Sequence, residues 1–122
     1  MPGEPTAVVV DDDEGILALV SAILCRAGYT VRAFAEPYGA LLAAHERPPD
    51  VYILDVRLPA MNGRDLCRVL KAVERTRRPV LMMSAESSRV DIAKALDAGG
   101  DDFLAKPFRR TELVTRVDEL RI

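Results

Sequence analysis

Five short apolar runs alternate along this chain with five segments whose apolar residues recur at helical spacing. The runs cover residues 7–10, 30–34, 51–54, 80–83 and 102–105. Most of them are continuously apolar, which is typical of strands buried on both faces of a sheet. Strands that alternate with helices over short connections form a parallel sheet with helices on both faces. The sequence therefore predicts an α/β fold of five βα units.

The helical segments each carry a face of apolar residues and are bounded by helix-breaking residues. Gly28 closes the first segment, Pro37 opens the second, and the pair at 99–100 closes the fourth. The spacing predicts that these faces are buried against the sheet. They consist of Ile16, Val20, Ile23, Leu24 and Ala27; Tyr38, Leu41, Leu42 and His45; Leu66, Val69, Leu70 and Val73; Val90, Ala93, Leu96 and Asp97; and Leu113, Val114, Val117 and Leu120.

Length and composition favour a single domain that covers residues 1–122. The chain is long enough for a substantial core, and its 49% hydrophobic and 30% charged residues are typical of a globular protein. Its 17 basic and 19 acidic residues give a formal net charge of -2, which argues against a nucleic-acid surface made by charge alone. We therefore expect no direct contact with nucleic acid.

No stretch of the chain predicts export or membrane insertion. Residues 1–6 lack the basic and apolar regions of a signal peptide, and the longest apolar stretch, residues 16–25, is too short to span a bilayer. We therefore expect no membrane contact and a cytoplasmic location. Cys25 and Cys67 lie far apart within helical segments, so we expect two buried, reduced thiols.

Carboxylates follow two of the predicted strands. Asp55 ends the run at 51–54, and four consecutive acidic residues, 11–14, follow the run at 7–10. Asp55 could cap a turn, or it could belong to a ligand site at the edge where α/β sheets bind ligands. The acidic run could be a solvated helix N-terminus or a cation site, and we assign Asp13 a helix-capping role.

Polar residues from four strands converge on one edge of the predicted sheet, because all strands of a parallel sheet end on the same side. Such a group predicts phosphoryl transfer. Crowded carboxylates need a hard cation such as Mg²⁺, and one carboxylate can act as a nucleophile toward phosphorus. A lysine and a hydroxyl can bind phosphate oxygens. The converging residues are Asp11, Asp12, Asp55, Ser84 and Lys106.

With these residues in place, the chain closely resembles the receiver domain of bacterial two-component response regulators. The resemblance covers essentially the whole chain, and the combination of motifs is specific although each piece alone is weak. The motifs are the acidic pair Asp11-Asp12, Leu54-Asp55, the segment from Leu58 through Pro59, Ala60, Met61 and Asn62 to Gly63, Ser84-Ala85, and Lys106-Pro107-Phe108. The resemblance implies a flavodoxin-like, doubly wound (βα)5 fold with strand order 2-1-3-4-5.

The resemblance also implies a role for each site residue. Asp55 would be phosphorylated by a histidine kinase or a phosphotransfer protein, and Lys106 would pair with the phosphoryl group. Ser84 would be the switching hydroxyl, and Phe103 the aromatic switch residue. The ligands implied for Mg²⁺ are Asp11, Asp12, Asp55 and the backbone carbonyl of Arg57. The Lys106-Pro107 bond is expected to be cis, against the usual preference for trans.

The implied function is a signalling switch that catalyses only its own phosphorylation and dephosphorylation. Phosphorylation would change the face built by the fourth helix, the fifth strand and the fifth helix. That face would control an output domain or a downstream protein, and it could support a phosphorylation-dependent homodimer. Arg57 and Glu86 lie two residues after Asp55 and Ser84, respectively, and could meet above Asp55 to gate the water that removes the phosphoryl group.

Two alternatives remain open on the sequence. A phosphatase of the haloacid-dehalogenase type would use Asp11 as its nucleophile, but Gly15 does not fit that motif and the chain is short for that fold with a substrate cap. A pseudo-receiver would bind partners without phosphorylation, and the complete set of acidic, hydroxyl and lysine residues argues against it.

Overall fold

A computed structural model describes residues 3–121 of the chain, and the predicted domain limits 1 and 122 lie outside that range. The five strands are all parallel and lie in the order β2-β1-β3-β4-β5, which confirms the predicted flavodoxin-like order. The elements are β1 (Thr6–Val10), α1 (Glu14–Arg26), β2 (Thr30–Phe34), α2 (Pro37–Glu46), β3 (Val51–Asp55), α3 (Gly63–Ala72), β4 (Val80–Ser84), α4 (Arg89–Asp97), β5 (Asp102–Ala105) and α5 (Arg110–Leu120).

The sheet separates two hydrophobic cores, because successive side chains of a strand point to opposite faces. Val9 and Ile53 pack with α1 and α5 on one face. Val8 and Leu54 pack with α2, α3 and α4 on the other. β3 and β4 are buried along their whole length, as expected for central strands covered on both sides. Their carboxyl ends therefore carry polar residues into a partly buried environment.

The buried face of α2 differs from the predicted one. Tyr38 and Leu42 are 54% and 69% exposed, whereas Ala40 and Ala44 are buried in the core beside β1. The prediction was right for Leu41, which is partly buried against this core, and wrong for Tyr38, Leu42 and His45, because it chose the face that carries the large residues at helical spacing. Alanine at the contact lets a helix lie close against a sheet, and a leucine would not fit in that space.

Smaller corrections concern the other helices and one cysteine. In α4 the buried residue is Ala95, whereas the predicted Val90 and Leu96 are exposed. In α3, Leu66, Cys67 and Leu70 are buried, but the predicted Val69, and Val73 directly after the helix, are each 44% exposed. Cys67 is buried as expected, whereas Cys25 is exposed on the outer side of α1, so the prediction of two buried thiols was wrong.

Within residues 3–121, every helix is too short or too polar to cross a membrane.

Candidate functional site

The carboxyl edge of the sheet brings the predicted polar residues together. Asp11 directly follows β1, Asp55 and Ser84 are the last residues of β3 and β4, and Lys106 directly follows β5. Parallel register aligns these strand ends, and Lys106 N–H continues the ladder by donating to the Ser84 carbonyl at 2.9 Å. They surround a cavity of about 200 Å³, which is lined by Asp11, Asp12, Asp13, Asp55, Arg57, Ser84, Ala85, Glu86 and Lys106.

The aspartates of the acidic run after β1 have two different roles. Asp13 is the N-cap of α1, and its Oδ1 accepts a hydrogen bond from the Ile16 N–H at 3.1 Å. This confirms the predicted capping role. Asp11 is fully buried, and its Oδ1 accepts from the Asp13 N–H at 2.9 Å, which orients its carboxylate. Asp12 is exposed at the mouth of the cavity.

Lys106 bridges two buried carboxylates. Its Nζ lies 2.7 Å from Asp11 Oδ2 and 2.9 Å from Asp55 Oδ1. Burial works against the charged amine, but the hydrogen bonds to these two carboxylates outweigh it and raise the pKa of Lys106. Burial disfavours the charged carboxylate and therefore raises the pKa of Asp55, although the hydrogen bond from Lys106 opposes the rise. The site thus holds two buried carboxylates whose hydrogen bonds favour the protonated form of the Lys106 amine.

The three carboxylates form a group that fits a hard cation. Asp11, Asp12 and Asp55 each offer an oxygen, and these oxygens lie within 4.8 Å of one another. Two of the three residues are buried, and all the ligand atoms are oxygen, which is the donor that Mg²⁺ and Ca²⁺ prefer. The predicted Mg²⁺ ligands therefore come together as a group, while the role of the Arg57 carbonyl stays a prediction.

The rim of the cavity carries the two residues predicted to gate it. A guanidinium nitrogen of Arg57 forms an ion pair with Glu86 Oε1. Both side chains are substantially exposed, so the pair lies at the solvent side of the cavity. Below it, Ser84 is buried, and its Oγ accepts a hydrogen bond from the Glu86 N–H at 3.0 Å. Glu86 is therefore linked to the cavity at both its backbone and its side chain.

Phe103 is in the inward position. The residue is only 8% exposed and packs in the core cluster that includes Met82 and Ala95. The role of Phe103 as the aromatic switch residue stays a prediction. The Lys106-Pro107 bond is cis, which confirms that prediction.

One residue that matters for the site appears in the sequence only as the last residue of the motif at 58–63. Gly63 opens α3 behind Asp55, its N–H donates to the Val56 carbonyl at 2.8 Å, and a β-carbon there would overlap the Asp55 carbonyl oxygen. Asn62 caps the same helix by accepting from the Asp65 N–H at 2.9 Å. The Asn62-Gly63 pair was the available signal, but it indicates a turn and not a close approach to Asp55.

A family model described as the response regulator receiver domain matches residues 7–118. This chain belongs to that family. As a receiver domain of two-component response regulators, it is a signalling domain rather than a catalytic enzyme. The match favours neither the haloacid-dehalogenase alternative nor the pseudo-receiver.

Two curated relatives are similar in sequence to this chain over most of its length. The DNA-binding response regulator MtrA of Mycobacterium tuberculosis is 39% identical over 110 residues, which cover 90% of this chain and 47% of that protein. The transcriptional regulatory protein PrrA of Mycobacterium bovis is 39% identical over 116 residues, which cover 95% of this chain and 49% of that protein. The receiver domain thus spans about half the length of these relatives.

A solved structure of another receiver domain has the same fold. The receiver domain of the sensor histidine kinase PA1611 from Pseudomonas aeruginosa PAO1 is 30% identical, with a TM-score of 0.89. The similarity covers 98% of each chain. That structure contains a magnesium ion coordinated in its active-site cleft.

Proposed function

We propose that Asp55 of this receiver domain accepts a phosphoryl group from a phosphohistidine of a histidine kinase or a phosphotransfer protein. The observation that carries the proposal is the bridge from Lys106 to Asp55 and Asp11 inside the acidic cavity. It places one buried carboxylate beside a fixed positive charge. That is the arrangement needed by a nucleophile whose product carries about -1.5 to -2 charges at pH 7.

In the proposed transfer, a carboxylate oxygen of Asp55 forms a bond to phosphorus while the bond from phosphorus to the donor imidazole nitrogen breaks. The electron pair of the broken bond remains on the imidazole. Lys106 would move its hydrogen bond from the carboxylate to a phosphoryl oxygen. Ser84 Oγ accepts from the Glu86 N–H, so its own hydrogen can be donated to another phosphoryl oxygen.

The same cavity is proposed to hold Mg²⁺ through Asp11, Asp12, Asp55 and the backbone carbonyl of Arg57. The grouping of three carboxylate oxygens supports this assignment, as does the magnesium ion in the related receiver domain of PA1611. When bound, the ion would neutralise charge between the carboxylates and the phosphoryl group. Asp11 would still be oriented by the Asp13 N–H, and Asp12 would stay at the mouth of the cavity.

Incubation with acetyl phosphate and Mg²⁺, followed by intact mass and peptide mapping, tests the assignment. We expect one phosphoryl adduct, located on Asp55, which EDTA prevents. Asp55→Asn should abolish labelling, whereas Asp65→Asn, an exposed aspartate of α3, should label normally. An adduct on Asp11 would instead support the phosphatase alternative, and the absence of any adduct would support a pseudo-receiver.

The output surface is proposed to be the face formed by α4, β5 and α5. Arg116 of α5 supports this, because its guanidinium donates to Asp102 Oδ1 at 3.1 Å and to the Phe103 carbonyl at 2.7 Å. A movement of Phe103 would therefore reach a side chain at that surface. Control of an output domain or a downstream protein through this face is our proposal, as is a phosphorylation-dependent homodimer.

Chromatography with light scattering, before and after phosphorylation, tests the dimer. We expect the mass to double on phosphorylation and the doubling to be lost in Arg116→Ala. Arg26→Ala on α1, an exposed arginine outside the face, should still dimerise. A constant mass in the phosphorylated wild type would contradict the homodimer.

Three expectations from the sequence remain predictions. They are that one domain covers residues 1–122, that it catalyses only its own phosphorylation and dephosphorylation, and that it is located in the cytoplasm.

A further inference from the structure

The edge of the sheet opposite Asp55 carries a concentration of unneutralised arginines. Among residues 3–121, none of these arginines has a carboxylate oxygen within 4.0 Å. Glu46, Asp50 and Glu74 lie in the same segments, so the five arginines exceed the three carboxylates by two positive charges. We call this group the arginine edge, and it consists of Arg32, Arg47, Arg75, Arg77 and Arg78.

Several of these guanidinium groups are held in place by main-chain carbonyls. Arg75 donates to the His45 and Glu46 carbonyls at 2.7 and 3.0 Å, and Arg32 donates to the Ala43 and Arg47 carbonyls at 3.1 and 2.6 Å. A carbonyl accepts a hydrogen bond without cancelling the charge. The group is therefore pre-organised while its positive charge remains available to a ligand.

Capping of helix ends explains only part of the arginine edge. Arg32 and Arg75 satisfy carbonyls at the end of α2, and Arg77 donates to the Lys71 carbonyl near the end of α3. Arg78 donates only to its neighbour Arg77, and the side chain of Arg47 donates no hydrogen bond within residues 3–121. The C-terminus of a helix is equivalent to about half a negative charge. The ends of α2 and α3 together therefore do not account for five arginines.

The net charge of the chain does not oppose an anion at this edge. Strands of four or five residues separate the two edges by about 15 Å, at roughly 3.3 Å per residue. The Debye length is about 10 Å at 0.1 M salt, so exposed charges at one edge are largely screened from those at the other, and the buried Asp11 and Asp55 are both paired with Lys106. The net charge of the chain therefore does not reveal this basic surface, because it sums the charges of an acidic edge and a basic edge.

The shape of the arginine edge suits an extended polymer. An open groove of about 710 Å³ runs along it, lined by Pro48, Glu74, Arg75, Arg77 and Arg78. Apart from one proline, the groove is lined by charged side chains, whereas membrane-binding surfaces also insert apolar anchors. Arginines spread along a groove fit the regularly spaced charges of a phosphodiester chain.

We propose that the arginine edge binds the phosphate backbone of a nucleic acid, without base recognition. The proposal goes beyond phosphorylation of Asp55 and uses none of the residues of that site. It replaces the expectation, drawn from net charge, that this domain makes no contact with nucleic acid. Binding should be weak and strongly dependent on salt, as for non-specific phosphate contacts.

Fluorescence anisotropy of a labelled 20-base-pair duplex at 20 to 200 mM NaCl tests the proposal. The triple variant Arg75→Gln/Arg77→Gln/Arg78→Gln should bind at least about tenfold more weakly at low salt. Each arginine lost should reduce the slope of log K against log salt by about 1. The control Arg26→Gln/Arg89→Gln/Arg110→Gln removes the same charge from exposed positions elsewhere and should bind within about twofold of wild type.

Two further measurements keep the proposal open to refutation. If the triple variant does not fold, Arg47→Gln/Arg78→Gln serves instead, because these side chains hold no helix end, and it should still weaken binding several-fold. Asp55→Asn should bind DNA as wild type does, which separates this proposal from the phosphorylation chemistry. The proposal is overturned if wild type shows no salt-dependent binding, if both triple variants behave alike, or if polyglutamate or anionic vesicles bind as tightly as DNA.

Discussion

Gly63 lies directly against the main-chain carbonyl of Asp55, so close that a β-carbon at Gly63 would overlap the Asp55 carbonyl oxygen and crowd the Val56 backbone. The Gly63 N–H also donates to the Val56 carbonyl at 2.8 Å. The start of α3 therefore supports the end of β3 from behind. This contact holds the proposed phosphoacceptor at a fixed depth in its cavity.

Gly63→Ala should lower both stability and phosphorylation. The added methyl group meets backbone atoms, which cannot rotate away, so either α3 or Asp55 must move. We expect the free energy of unfolding in urea to fall by about 1–3 kcal/mol, as for overpacked sites. The rate of labelling by acetyl phosphate should fall as well. Gly3→Ala, where a β-carbon meets nothing within 4 Å, is the matched control. Unchanged stability would show that the site tolerates the methyl group.

The Arg57–Glu86 pair should slow loss of the phosphoryl group. Water must approach in line with the bond to Asp55, and the pair lies at the rim of that approach. An exposed pair is worth about 0.2–1 kcal/mol, so breaking it first should slow hydrolysis no more than roughly five-fold. We expect Arg57→Ala and Glu86→Ala each to speed dephosphorylation, and the double variant to gain less than the product of both.

Decay of the phosphorylated protein, followed by intact mass, measures these rates. The exposed pair Arg68–Asp65 provides the control, since Arg68→Ala should leave the rate unchanged. Multiplying effects of Arg57→Ala and Glu86→Ala would mean that the two side chains act separately. Slower decay in Arg57→Ala would contradict gating by this residue.

Ser84 and Phe103 should be coupled through the phosphoryl group. Both residues are buried, and the inward ring of Phe103 packs with Met82 of the strand that ends at Ser84. A switch needs two arrangements of one element that a ligand binds unequally. We expect phosphorylation to shift the NMR resonances of Phe103 in wild type and much less in Ser84→Ala. Ser87→Ala, an exposed hydroxyl, is the control, and equal shifts in Ser84→Ala would exclude coupling through this hydroxyl.

Tyr52 should make the stability fall at alkaline pH. Its hydroxyl is buried and donates to the Thr76 carbonyl at 2.7 Å, and burial raises the pKa of Tyr52 to about 12 from 10.0. Because the folded-state pKa is the higher one, the unfolded chain releases this proton first. The contribution is complete below pH 10 and is lost as the pH rises toward 12.

Urea denaturation of wild type and Tyr52→Phe from pH 7 to 11.5 tests this. At pH 7 the variant should be less stable by about 1 kcal/mol, because the Thr76 carbonyl loses its partner. The difference should narrow above pH 10, since only wild type carries the titrating hydroxyl. Tyr38→Phe, at a residue that is 54% exposed, should differ little from wild type at pH 7. A difference that stays constant to pH 11.5 would be inconsistent with a buried, titrating Tyr52.

Substitutions on the two faces of α2 should change the stability by very different amounts. Ala44→Leu adds three carbons where the helix lies against the core and should cost about 1–3 kcal/mol of unfolding free energy. Leu42→Gln, at a residue that is 69% exposed, should change it by no more than about 0.5 kcal/mol. Thermal or urea denaturation of the two variants checks the assignment. A large loss in Leu42→Gln would mean that the predicted face, and not the observed one, is buried.

Much of this receiver domain could be predicted from its sequence for local reasons. Apolar runs of four or five residues specify buried strands, and their alternation with helical periodicity specifies a parallel sheet. Parallel strands all end at one edge, so the position of Asp55, Ser84 and Lys106 along the chain was enough to bring them together. The acidic pair after β1 followed by the same rule.

Tertiary structure alone decided how close the elements lie and which side chains pair. Periodicity names the apolar residues of α2 but not the distance from α2 to the sheet, and that distance selected Ala40 and Ala44. The bridge from Lys106 to Asp55 joins residues distant in sequence, and the contact of Gly63 with Asp55 depends on how closely α3 packs against the end of β3. The arginine edge arises in the same way, because Arg32 of β2 and loops that are separate along the chain meet at one end of the sheet. The composition does not reveal this local concentration of charge, because the interaction between charges depends on the distance between them in the folded molecule.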